Sequence, residues 1–185
     1  MSDKKALVYI FRDIVQAVSE SVLPDIIANN PDVEITAEQI NYKFGSWKEI
    51  TNTLNEWASS PDLAPQKFPM VVLIEDWQLI NSANDDYNSC TIQLFILMST
   101  DPNYDSFQRQ YKVFDPILEP IYDALINELY NCGYFHLLDV NRDTPHVKIN
   151  RKSLGKETLA GLKTDDYLDA IQIKDLKLKL YKTVY

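Results

Sequence analysis

Glycine is scarce in this chain, 4 residues in 185, and so are cysteine and histidine, 2 each. So few glycines leave no material for a phosphate-cradling loop, a collagen-like repeat or a flexible linker. Two cysteines, Cys90 and Cys132, fall on segments that read as buried, which makes them small core residues rather than a disulfide framework or a metal set. His136 and His146 have no cysteine at ligand spacing, so no zinc site is expected. No apolar run approaches the roughly 20 residues of a membrane span, and Met1 to Lys5 lacks a signal peptide's apolar core. A protein made and used inside the cell is the expectation. Net positive charge is missing too. The balance is −9, which argues against a phosphate-backbone-binding surface and against sequence-specific nucleic-acid recognition.

What is present is ordinary globular composition, 45% hydrophobic, at a length suited to one core. The expected fold is therefore α+β in a single domain over residues 1–185. It has a mixed, mostly antiparallel sheet with a long hairpin, packed by an N-terminal helix and a long kinked helix. The stretch Ser89 to Gly133 organises it. Cys90 to Met98 reads as a strand with apolar residues on both faces, both of which need cover from helices or from a neighbouring subunit.

The helix that follows carries Phe107, Tyr111, Phe114, Leu118, Ile121, Leu125, Leu129 and Cys132 in steps of three and four. Pro116 and Pro120 interrupt it, so either Asp115 caps a second helix or the helix kinks, and the unbroken stripe favours the kink. Gly133 is placed to stop it.

Upstream, Leu7, Ile10, Phe11, Ile14, Val15, Val18 and Val22 form one helical face, with Ser2 or Asp3 as cap and Pro24 as the end or a terminal kink. Val33 to Thr36 alternates briefly. Gln39 to Phe44 reads as a strand with Ile40, Tyr42 and Phe44 on one face. Ser46 and Glu49 make a capping box that starts a helix whose stripe is Trp47, Ile50, Leu54 and Trp57. Two tryptophans at helical spacing are read as core rather than as a binding platform. A proline-rich connector, 59–69, delivers the strand Met70 to Ile74. That strand, Trp77 to Ile80, and the polar tip 81–88 lead into the organising strand as a long hairpin.

Residues 134–166 read as a long loop or hairpin excursion, with Tyr134–Leu138 pairing with His146–Ile149 and the stretch Asn150 to Asp166 exposed. Tyr167 to Tyr185 is a strand. Its inward positions change from odd (Ile171, Ile173) to even (Leu176, Leu178, Leu180), so a β-bulge is expected at Lys174–Asp175.

No catalytic motif appears, and no enzyme, metal, cofactor or small-molecule substrate is expected. The acidic pairs Glu75–Asp76, Asp85–Asp86 and Asp165–Asp166 read as solvated loop acids, because adjacent side chains on an extended chain diverge. Charge is split along the chain: residues 148–185 hold nine basic and five acidic residues, +4, leaving −13 on residues 1–147. The basic cluster Lys148, Arg151, Lys152 and Lys156, and the hairpin tip Asn84, Asp85, Asp86 and Tyr87, are the candidate partner surfaces.

The order helix, Tyr42-Lys43-Phe44-Gly45 strand, capped helix, Phe68-Pro69 before the strand Met70 to Ile74, long strand, kinked helix and final Tyr167 to Ile173 strand resembles the tail-terminator and tail-completion proteins of tailed bacteriophages. The resemblance covers most of residues 6–133 and 165–181. It implies a central mixed sheet with flanking helices. It also implies a non-catalytic subunit of a ring at the head–tail junction of the virion, made in the bacterial host cytoplasm. Its partners would be further copies of itself and neighbouring tail, neck or connector proteins. Residues 134–166 exceed what the family implies, which leaves a neck or connector role open. A different class, an acidic inhibitor- or immunity-type module binding a basic partner, is motivated by the charge of −9. A third, an enzyme with a site assembled from dispersed acids, would need a pocket with convergent carboxylates.

Overall fold

The computed structural model describes residues 6–31, 35–81, 86–136, 145–157 and 163–181, with backbone alone at 153–157. Helix α1 (Leu7–Asn29) opens the chain and α2 (Trp47–Ala58) follows β1 (Asn41–Gly45). Strands β2 (Met70–Ile74), β3 (Gln78–Asn81) and β4 (Tyr87–Ser99) come next. A continuous helical stretch then runs as α3 (Ser106–Arg109), a π-wound segment (Gln110–Leu118) and α4 (Glu119–Asn131). Strands β5 (Val147–Glu157) and β6 (Lys163–Tyr181) close the fold. The order across the sheet is β1-β2-β4-β6-β5, with β3 continuing β2's place beside β4. Among the described residues only β1 and β2 run parallel, joined through α2, and the other strand pairings are antiparallel. This is the expected α+β mixed sheet, and the expected hairpin is β2 and β3 returning along β4.

Both faces of β4 are buried within the chain itself, from Leu94 to Met98 without interruption. One face is covered by α2, whose Trp47 meets Phe95 edge-on with ring centroids 4.7 Å apart. Helix α1 packs against α4, β1 and β2, and the π-wound segment lies on β4 and β6. The core therefore sits on both sides of β2, β4 and β6. Ile92, Leu94, Phe95 and Ile96 are at its centre, with Ile171, Ile173, Leu176 and Leu178 beside them from β6.

The capping box forms as the sequence predicts: the Ser46 hydroxyl accepts from the Glu49 N–H, and Glu49 Oε2 accepts from the Ser46 N–H at 2.7 Å. Glycine ends the long helix as expected, since Gly133 takes φ +71°, a conformation a side chain disfavours. The bulge also forms where the phase change places it. Ile92 faces Leu176 and Leu94 faces Ile173, so one residue of β4 opposes Lys174 and Asp175, and Asp175 adopts φ +57°.

Several expectations are corrected. Helix α1 does not end at Pro24; it continues to Asn29, because Leu23 and Ile26 bury their side chains on either side of the proline. Its first cap is Ala6, without a side-chain bond; Ser2 and Asp3 lie outside the described residues. In β1, Ile40 precedes the strand and Phe44 is 49% exposed instead of facing the core.

The long helix keeps its stripe only from Phe114 onward. Phe107 is 86% and Tyr111 77% exposed, and Arg109, Val113 and Ile117 are buried instead, in line with the expected Ile121. The cause is the π winding: bonds such as Glu119 N–H to Phe114 O span five residues, the turn widens, and the buried positions recur in steps of four. Asp115 caps nothing and accepts from Gln110 Nε2 at 2.5 Å. The stretch Val147 to Glu157, read in part as loop, is a strand along β6, and Phe135 bridges to Leu180 rather than pairing with 146–149. Leu137 and Leu138 lie outside the described residues.

Candidate functional site

The buried charges sort themselves first, because an ion taken from water must find partners. Arg109 sits one turn into the long helix, aimed at the sheet. Its Nη1 donates to both Asp169 oxygens at 3.1 and 3.2 Å, its Nη2 to the carbonyls of Asp101 and Pro102 at 3.1 and 3.3 Å, and its Nε to the Tyr104 carbonyl at 3.0 Å. Its guanidinium also lies 5.3 Å from the Tyr167 ring centre. Arg109 is 3% and Asp169 0% exposed. This cluster fastens the β4–α3 loop and the first helical turn to β6. The same turn carries Phe107 and Tyr111, so two exposed aromatics stand on a backbone held from beneath. Beside them a groove of about 870 Å³ runs between Asn29–Pro31, Thr100–Asp101 and Tyr111–Pro116.

A second buried cation, Lys67, donates to both oxygens of Asp166 at 2.6 Å. It ties the connector ahead of β2 to the start of β6. Asp166 is thus a structural partner and not a solvated loop acid, whereas its neighbour Asp165 is exposed, with its N–H on Asn55 Oδ1 at 3.1 Å.

The predicted basic cluster does not form a patch. Lys148 pairs with Glu119 and lies 4.0 Å from the Tyr122 ring centre. Lys152 Nζ reaches the Ser106 carbonyl at 3.3 Å and lies over the Phe114 ring. Both point to the helices. Arg151 turns to the opposite face and donates from Nη2 and Nε to Gln172 Oε1 at 2.7 and 3.0 Å. Period-two alternation divides the cluster, and tertiary partners occupy its charges. Lys156 lies on β5 with its side chain outside the description.

At the hairpin tip, Asn84 and Asp85 lie outside the described residues and Asp86 is exposed. Tyr87 belongs to a small aromatic ladder. Its ring stacks on His136 at 5.2 Å and 9°, Lys179 Nζ donates to its hydroxyl at 2.9 Å, and His136 Nδ1 meets the Tyr181 hydroxyl at 3.3 Å. Tyr87 thus pairs with Tyr181 at one end of β6, whereas Lys148 and Arg151 pair with Ile173 and Ala170 farther along it. Among the described residues no group of three His, Cys, Asp or Glu comes together as metal ligands. Cys90 is free and buried, and burial pushes its thiol up to about 12; Cys132 is also free, with burial as the main cause of its raised value.

A further groove, of about 820 Å³, follows β1 between α1 and Trp57 of α2. Val15, Leu23, Ile27 and Tyr42 give it apolar walls and Arg12, Glu20 and Lys43 a charged rim. The Tyr42 hydroxyl is buried without a hydrogen-bond partner, and this burial raises its ionisation well above the usual tyrosine range.

Sequence reading missed Arg109 and Asp169. A signal existed: 109, 113, 117 and 121 repeat in fours, so the arginine shares a line with core residues. No helix among the described residues is long and apolar enough to cross a membrane. Comparison of the chain with protein-family models and with curated proteins finds no match.

Proposed function

We propose that this chain is a non-catalytic structural subunit of a ring at the head–tail junction of a tailed bacteriophage, acting as a tail terminator, neck or connector protein. One observation carries the reading. The two ends of the sheet differ: one has the groove beside β1, and the other has β5, whose Lys152 reaches the Ser106 carbonyl at the start of the turn that carries exposed Phe107 and Tyr111. A ring built from identical copies uses heterologous contacts, which require two different patches on every subunit. The buried ion pairs support the same reading, since Arg109–Asp169 and Lys67–Asp166 brace elements against the sheet. The element order supplies the phage assignment, through its resemblance to tail-completion proteins.

Sedimentation of lysates from cells producing the phage tests it. The chain is expected in the virion fraction at a fixed number of copies per particle. Its absence from virions and from free tails would refute the assignment.

A further inference from the structure

We infer that the two end strands of the sheet are the ring's joining surfaces: β5 of one copy adds antiparallel to β1 of the next, and the apolar groove beside β1 receives it. The inference rests on the ring reading above and specifies its interface.

The argument starts from backbone groups. Among the described residues β1 and β5 end the five-strand path of the sheet, each with one neighbour; the four-residue β3, off that path, also pairs with β4 alone. The Asn41 N–H donates to Pro69 O and the Glu75 N–H donates to Gly45 O, both at 3.0 Å. Residues 41, 43 and 45 therefore serve β2, and by alternation the N–H and C=O of Tyr42 and Phe44 turn outward. Open edges recruit further strands unless proline, bulging or outward charge blunts them. β1 has no proline, and Phe44 is half exposed. β5 has no proline either, and Val147 at its start is exposed; its register with β6 shifts after Arg151 and again after Gly155, so its regular edge is Val147 to Arg151. Lys148, Arg151 and Lys152 are drawn onto the two faces by Glu119, Gln172 and the Ser106 carbonyl, so these three do not guard the edge.

Direction agrees. Taking β1 and β2 as up, β4 is down, β6 up and β5 down. A copy placed alongside with the same sheet face outward sets β5 beside β1 in antiparallel sense, the pairing that needs no reversal of either chain. A second copy is thus the occupant that both ends of one sheet fit.

Hydrogen exchange of the intact chain, read by mass spectrometry in dilute and concentrated solution, tests the pairing. Assembly should slow exchange in peptides covering Tyr42–Phe44 and 147–152, and only slightly elsewhere. Phe44→Pro, which removes one outward N–H and leaves the β2 ladder intact, should weaken association about fivefold to tenfold by sedimentation velocity, the scale of one hydrogen bond. The wild-type exchange pattern decides the matter if that variant fails to fold. Oligomers whose protection falls on other surfaces would overturn this pairing and leave the ring reading standing. A chain that stays monomeric at every concentration, with or without tails, would overturn both.

Discussion

Replacing Arg109 by methionine tests the claim that its cluster braces the aromatic turn. The side chain fills similar space but leaves Asp169 wholly buried without its guanidinium, and takes one donor each from the carbonyls of Asp101, Pro102 and Tyr104, of which Asp101 keeps the Tyr104 N–H. Removing one member of a buried pair costs about 3–5 kcal/mol, because the remaining charge keeps its desolvation penalty. For a chain of this size the equivalent fall in melting temperature is about 6–20 °C. Differential scanning calorimetry and urea titration measure it. Arg109→Met combined with Asp169→Leu removes the stranded charge and should recover part of the loss. It should not recover all of it, since the loop carbonyls still lack the bonds that Arg109 donates. A single-variant cost below about 1 kcal/mol, the value of an exposed ion pair, would refute the bracing argument.

Ser46→Ala removes the hydroxyl that accepts the Glu49 N–H and should cost about 1 kcal/mol in urea unfolding; no change in midpoint would mean that α2 starts without its cap. Gly133→Ala meets no atom within 4 Å, so its cost is the left-handed backbone alone, about 1 kcal/mol, and a larger loss would point to a clash that the structure lacks. Stability should fall as pH rises above the ordinary tyrosine and thiol range. Tyr42 and Cys90 have folded values raised by burial, so the unfolded chain releases these protons first and gains on the folded one. Tyr42→Phe should flatten that decline, and an unchanged slope would argue against a buried hydroxyl. With a thiol reagent near neutral pH, half-buried Cys132 should react in the folded state and Cys90 only on unfolding.

The sequence carried most of the local signals. Strand phase located the bulge at Asp175, the Ser46–Glu49 pair located the start of α2, and the apolar run on both faces of β4 announced a sheet covered on two sides. What escaped was set by tertiary partners. β5 reads as loop from Asn150 onward because its polar side chains look solvated, yet Glu119, Gln172 and the Ser106 carbonyl hold them. Phe107 and Tyr111 fit an α-helical stripe, and only the π winding turns them outward. The candidate surface was half legible. Tyr87 was named, but its role is a ladder with His136 and Lys179, and the basic residues were read as a patch that alternation divides. Arg109 escaped notice because a single sequence does not reveal that Asp169, 60 positions later, waits beneath it.

Electron microscopy of the assembled chain, alone and with isolated tails, tests the central claim most directly. Closed rings of one rotational symmetry around an open centre, seated at one end of the tail, are the predicted result. A chain that stays a single globular particle and leaves both tail ends bare would contradict it.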